Sequence, residues 1–209
     1  MLVLIDALRQ GAPLLRKMML GIGLMVLSVQ GFTGQPREGV HYEALTTAPD
    51  QPARLIEVFS FACHYCYNLE DPLIEWADNQ SLPVTRMPFF YKDQWESLGR
   101  LYLAMEVQNL ATRENIQHLF HAIHEDDIPE DDINALVATL PVSTDQAEQL
   151  MKSIQSEAVI QRKREIADWL DSNDITSIPT LIVDGRFYSD PARARGNDNL
   201  LMLVDYLKQ

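Results

Sequence analysis

Cysteine is nearly missing from this chain: only two of 209 residues are cysteine, and they stand three positions apart at 63 and 66. A multi-bridge disulfide framework is thereby excluded. A zinc site made of two Cys-x-x-Cys pairs is excluded too, because tetrahedral zinc takes about four ligands. Basic charge is also scarce. Lys and Arg number 17 against 30 Asp and Glu, for a formal charge of −13. A nucleic-acid binder needs a basic face, so no nucleic-acid partner is expected. Long apolar runs are absent as well. The longest, Met18–Val29, has twelve residues, short of the roughly 20 that a membrane-spanning helix uses. Internal repeats and low-complexity tracts are not visible. Hydrophobic residues nonetheless make up 46% of the chain, enough for a core in one domain with an insertion.

The run at Met18–Val29 follows Arg16-Lys17 and is followed by polar residues. Positive flank, short apolar core, polar end is the pattern of a secretory signal, so residues 1–31 are expected to be a signal peptide or an N-terminal membrane anchor. Val29-x-Gly31 is the best cleavage candidate, and the alternative is a buried helix. An exported, oxidising location suits a catalytic disulfide.

What the chain does have is Val58-Phe59-Ser60-Phe61-Ala62-Cys63-His64-Tyr65-Cys66, an apolar strand running into Cys-x-x-Cys at a helix start. At that spacing the two sulfurs share a helix face and can bond to each other. A loop so small removes little entropy from the unfolded chain, so the bond is a poor staple and is better read as one made and broken in use. Cys63 at the helix N-terminus meets free N–H groups and the positive dipole end, which favour the thiolate. The thiolate is the nucleophile and the leaving group in disulfide exchange. Cys66, inside the first turn, is expected to be more buried and to resolve mixed disulfides. His64 and Tyr65 lie between the sulfurs and tune the pair. The alternatives are a zinc site completed by histidines and two unrelated core cysteines.

Glu57 interrupts the strand Leu55–Phe61. One reading is an edge position facing solvent. The other is a buried acid that moves protons to or from the cysteines. Helical periodicity follows from Cys63, with Pro72 expected to kink it. Val84–Tyr91 reads as a strand, with Pro88 marking a bulge or end. Residues from Asp93 to about Ser172 carry only helical periodicity, with Thr144 expected as an N-cap. His118, His121 and His124 share one helical stripe. They lack the i, i+4 pair of strong helical metal sites, so a solvated edge is expected and no metal. Ser177–Val183 reads as a strand with Pro179 at its start, Asp184-Gly185 as a tight hairpin, and Arg186-Phe187-Tyr188 as the return strand. Asp190–Gly196 reads as a loop and Asn197–Lys208 as an amphipathic helix.

Over roughly residues 38–207 this order resembles the thioredoxin superfamily, and specifically the DsbA-type thiol:disulfide oxidoreductases. The resemblance rests on Glu57-x-Phe59-Ser60-Phe61-x-Cys63-x-x-Cys66-Tyr67, on Ile178-Pro179 before an apolar strand and a Gly-containing hairpin, and on the helical block between them. It implies an α/β thioredoxin fold with an inserted all-helical domain. The first thioredoxin-like part would span 38–92, the insertion 93–172 (its last helix shared with the thioredoxin-like part) and the second part 173–209. It implies a cis peptide at Ile178–Pro179 beside Cys63, offering its backbone to substrate, and Glu57 as the family's buried acid. Lys92 is the candidate for the lysine opposite that acid. Catalysis would need no cofactor. The implied partners are unfolded or partly folded cysteine-containing proteins and a membrane quinone-linked, DsbB-like reoxidase, with the enzyme a monomer. His64-Tyr65 departs from the Pro-His of the best-known members, and Ile178 from their valine or threonine. The reading is an exported oxidase that introduces disulfides. A reductase or isomerase of the same fold is the nearest alternative, a zinc-binding non-catalytic module a more distant one, and a kappa-class transferase or isomerase relative a third.

Overall fold

The computed structural model describes residues 34–50, 53–90 and 93–208. The expected signal or anchor at 1–31, and Lys92, lie outside the described residues. The elements in order are β1 (Glu43–Ala44), β2 (Leu55–Phe59), α1 (His64–Asn79), β3 (Thr85–Pro88), α2 (Asp93–Val107), α3 (Arg113–His124), α4 (Ile133–Thr139), α5 (Thr144–Ser153), α6 (Glu157–Ser172), β4 (Thr180–Val183), β5 (Phe187–Ser189), α7 (Pro191–Ala194) and α8 (Asn197–Leu207).

The strands form one sheet in the order β1-β5-β4-β2-β3. β2 runs parallel to β3 and antiparallel to β4. Every residue of β2, Leu-Ile-Glu-Val-Phe, is buried. A strand covered on both faces reads as a continuous apolar run, which is why this one does. Glu57 is therefore in the interior, and the solvent-facing edge reading is excluded. Pro88 ends β3, where its missing N–H costs least. Asp184 and Gly185 take φ of 50° and 62°, and Arg186 N–H bonds the Val183 carbonyl at 3.0 Å. Two successive positive φ values are the mark of the hairpin turn that matches strand twist, and Asp-Gly supplies them cheaply.

Between β3 and β4 the chain is helical, as its periodicity indicated. Two local expectations need correction. The cap of α5 is Ser143, not Thr144: Ser143 Oγ accepts from Gln146 N–H, and the Gln146 side chain returns to Ser143 N–H. The reciprocal pair satisfies two orphan donors and displaces the cap by one residue. Asp190–Gly196 is not all loop. Asp190 accepts from Ala192 and Arg193 N–H, and Pro191 stands at the first helical position, so a turn of helix forms. Pro72 lies inside α1, which continues through it to Asn79. One buried cluster runs from Ile56, Val58 and Phe59 through Leu98, Leu101 and Met105 to Leu119, Phe120, Leu136, Leu150 and Ile166. Sheet and helical block thus share a core. No described helix is long and apolar enough to cross a membrane.

Candidate active site

β2 delivers the chain to the redox motif. Leaving the strand at Phe59, Ser60-Phe61-Ala62 make a turn in which Cys63 N–H bonds the Ser60 carbonyl at 3.1 Å. Cys63 keeps an extended backbone (φ −86°, ψ 107°) and caps α1. Its Sγ accepts the Cys66 N–H at 3.1 Å. The sulfur occupies the place of a serine or aspartate cap oxygen, where orphan N–H groups favour negative charge. Cys63 is 6% exposed and Cys66 fully buried.

The two thiols are driven in opposite directions. A hydrogen bond from the Cys66 side chain, helped by the Cys66 and Tyr65 N–H groups, holds the Cys63 thiol below its ordinary value against the cost of burial. Burial first, then the bond and charge of Cys63, push Cys66 well up. One thiolate and one thiol is the stable pairing, since two adjacent buried thiolates repel.

Pro179 arrives through sheet register. β4 opposes β2 with Val58 against Thr180, so the residues just before Thr180 fall beside the end of β2 and the cysteine turn. The Ile178–Pro179 peptide is cis. The Cys63 thiol points at the Ile178 carbonyl, 4.0 Å away. Ile178 is half-buried and Pro179 buried. Ser177 Oγ donates to Asp190 Oδ2 at 3.2 Å, and Thr180 Oγ1 to the Ser177 carbonyl at 2.8 Å, which fixes the loop on both sides. His64 is exposed and Tyr65 is 72% exposed. The structure therefore brings Cys63 against the Ile178–Pro179 loop, with Cys66 sealed beneath it and His64 and Tyr65 on the solvent side.

Glu57 lies beneath, fully buried. Its partner is Arg86, the residue opposite it in the β2–β3 register. Arg86 pairs with Glu57 and, through its other terminal nitrogen, with Glu70 at 2.7 Å, while its guanidinium lies 5.4 Å from the Phe59 ring centroid. Two buried carboxyls share one buried cation, so both cannot ionise without net buried charge. Burial, only partly offset by Arg86, raises Glu57 to about 7, and burial raises Glu70 as well. Glu57 Oε1 and Glu70 Oε1 have no partner among the described residues.

Sequence reading missed Arg86 and Glu70. A signal existed for each. Arg86 is the lone charge in an apolar strand, opposite in sign to the lone charge of the preceding strand. Glu70 falls four residues after Cys66, on the stripe with Leu69 and Leu73, and it is buried like them. The arrangement as a whole can do thiol–disulfide exchange at the Cys63 sulfur, backed by a buried carboxyl that is partly protonated near neutral pH.

Known proteins share this fold. The profile of the DSBA-like thioredoxin domain matches residues 68–208, beginning two residues past Cys66. The thiol:disulfide interchange protein DsbA of Pseudomonas syringae pv. tomato is 25% identical over 211 residues, covering 92% of this chain and 94% of the relative. The crystal structure of the oxidoreductase DsbA from Xylella fastidiosa superposes with a TM-score of 0.74 at 22% identity, covering 84% of this chain and 97% of that one. A Proteus mirabilis DsbA variant structure with a non-covalently bound peptide, PWATCDS, superposes with a TM-score of 0.66 at 17% identity, covering 84% and 98%.

Proposed function

Since the chain belongs to the DSBA-like thioredoxin domain family of thiol:disulfide oxidoreductases, we propose that it introduces disulfides into folding proteins through the Cys63–Cys66 pair. The observation that carries the direction is the seat of the Cys63 sulfur. It caps α1 and accepts the Cys66 N–H at 3.1 Å. Contacts that favour the Cys63 thiolate stabilise the reduced enzyme, and a stabilised reduced form makes the disulfide an oxidant.

The cycle starts from the enzyme disulfide. A substrate thiolate held along the Ile178–Pro179 loop attacks Cys63 Sγ, and the Cys63–Cys66 bond breaks. Cys66 leaves with the electron pair and takes a proton. The Glu57 carboxyl, raised to about 7 and so partly protonated near neutrality, has an ionised form whose charge bears on both cysteines, and it is the internal acid suited to supply that proton. A second substrate thiolate then attacks the substrate sulfur of the mixed disulfide. Cys63 departs as a thiolate on the helix N-terminus. The substrate has lost two electrons and the enzyme gained them, so each turnover ends in the dithiol and a reoxidase must accept those electrons. Backbone offered by the cis loop serves extended chains of any sequence. The natural substrates are taken to be unfolded or partly folded cysteine-containing proteins, a reading supported by the cysteine-containing peptide on the Proteus mirabilis protein. Export by residues 1–31, monomeric action, and reoxidation by a membrane quinone-linked, DsbB-like partner complete the proposal.

The test is titration of the reduced protein by thiolate absorbance, followed by equilibration with glutathione. Cys63 is expected to ionise below the free value of about 8.5, and the dithiol form to dominate at glutathione ratios that leave a reductase oxidised. A titration at the free value with a reductase-like equilibrium would sink the oxidase reading.

A further inference from the structure

The histidine stripe of α3 separates in three dimensions. His118 and His121 are exposed, and His121 Nδ1 pairs outward with Asp126 Oδ2 at 3.2 Å. His124, the last residue of α3, turns inward. Its Nε2 lies 2.8 Å from the carbonyl oxygen of Phe61, two residues ahead of Cys63. A carbonyl only accepts, so Nε2 carries the proton and donates. The ring is clamped: Tyr67 stacks on it at 4.8 Å and 14°, Phe120 lies at 6.2 Å and 27°, and His64 meets it edge-on at 5.6 Å. Tyr67 is itself held, its hydroxyl donating to Glu125 Oε1 at 2.7 Å.

We propose that His124 is a positioning residue of the redox site, a hydrogen-bond donor from the helical block that fixes the Phe61-Ala62-Cys63 turn so that the Cys63 sulfur meets the start of α1. The carbonyl it holds belongs to the segment that sets the height of Cys63 over the helix. The 3.1 Å bond from Cys66 N–H to Cys63 Sγ depends on that height, because hydrogen bonds weaken steeply with distance and misalignment. Phe61 is anchored on its other side by its ring, which packs on Phe59 and Phe120 at 5.1 and 5.2 Å. The turn is thus gripped at ring and carbonyl, both from the interface with the helical block. The groups facing His124 are His64 and Tyr67 on α1 and Glu125 and Glu130 after α3. Burial first, with the charge of His64, lowers the His124 pKa against the pull of the Phe61 carbonyl and the two glutamates. His124 therefore works as a neutral donor, not as a cation beside the thiolate.

The inference rests on the redox reading of the site, and its test separates the two. Wild-type, His124→Leu and His124→Gln proteins are titrated by thiolate absorbance and equilibrated with glutathione. Leucine fills the space without a donor; glutamine brings a carboxamide N–H back to the Phe61 carbonyl. His124→Leu is expected to raise the Cys63 pKa and shift the glutathione equilibrium toward the disulfide by about 3- to 10-fold, the worth of one net hydrogen bond, and His124→Gln to recover most of it. Equal constants for Leu, Gln and wild type would overturn the proposal, as would a Gln variant as impaired as Leu. Should the Leu variant fail to fold, nitrogen NMR of the wild-type imidazoles decides. An Nε2–H tautomer titrating below the free histidine range is expected, and an Nδ1–H tautomer or a free-histidine titration overturns it. The wild-type equilibrium alone tests the oxidase reading, whereas the variant-to-wild-type ratio tests His124 whichever way the electrons run.

Discussion

Two thiols and one carboxyl show how far single residues are governed by where each stands. Cys63 and Cys66 are chemically identical and three residues apart, yet one is seated on free N–H groups and the other is sealed beneath it. Glu57 shows the same dependence in a form that can be measured as stability. Its folded pKa is raised from 4.5 to about 7, so in the folded protein it holds a proton that the unfolded chain releases. The resulting stability is fully present below pH 4.5 and is lost as pH rises through about 7. Glu57→Gln keeps an acceptor for Arg86 and removes the titration. Relative to wild type, the variant is expected to gain up to about 3 kcal/mol between pH 4 and pH 8. Urea denaturation at the two pH values checks this; parallel profiles for wild type and variant would refute it.

At the scale of elements, one guanidinium joins three of them. Arg86 on β3 reaches Glu57 on β2 and Glu70 on α1, so strand pair and helix are locked beneath the cysteines. A buried ion cluster offers little net stability when intact, because desolvation offsets attraction, but losing its centre strands the rest. Arg86→Met is expected to cost about 3–5 kcal/mol. Arg86→Lys keeps the charge yet offers one nitrogen where two directions are needed. Its expected cost is about 1.5–3 kcal/mol, one charge-assisted hydrogen bond. Denaturant midpoints distinguish the two, and an Arg86→Met protein as stable as wild type would show the cluster to be dispensable. Position also explains why α1 begins where it does. Nothing in His64-Tyr65 starts a helix; the Cys63 sulfur does so by capping it, and the cap is held in turn by Phe61 and His124.

For the molecule as a whole, the question is whether the helical block is an independent body. The buried cluster runs without a break from β2 into α2, α3, α4, α5 and α6, and Phe120 of α3 packs on both Phe59 and Phe61. A shared core makes separate melting expensive, since either half alone would expose the apolar face of the other. The three tryptophans report the two sides: Trp76 in α1, Trp95 in α2 and Trp169 in α6. Variants retaining one tryptophan each are expected to unfold at one midpoint, coincident with far-ultraviolet circular dichroism. A Trp76 transition displaced from those of Trp95 and Trp169 would show that the block melts by itself.

The sequence by itself determined the local chemistry. Cys-x-x-Cys spacing, the apolar run before it, the Asp-Gly hairpin and the helical periodicity of the middle stretch all depend on residues within a turn or two, and each appears in the fold where expected. Small errors, such as the cap at Ser143 and the turn of helix after Asp190, came from side chains competing for the same orphan N–H groups. The Ile178–Pro179 loop beside Cys63 and the buried Glu57 are legible through the family resemblance, but only the tertiary structure decided which other groups surround the cysteines. Arg86 meets Glu57 across 29 positions and Glu70 across 16. His124 reaches Phe61 across 63, and Ile178 reaches Cys63 across 115. Charge, burial and hydrogen bonding at such separations follow from strand register and from which helix face turns inward. Local patterns flag Arg86 and Glu70 as charges on buried faces but do not say which groups they meet, and those pairings set the protonation of Glu57 and of both thiols.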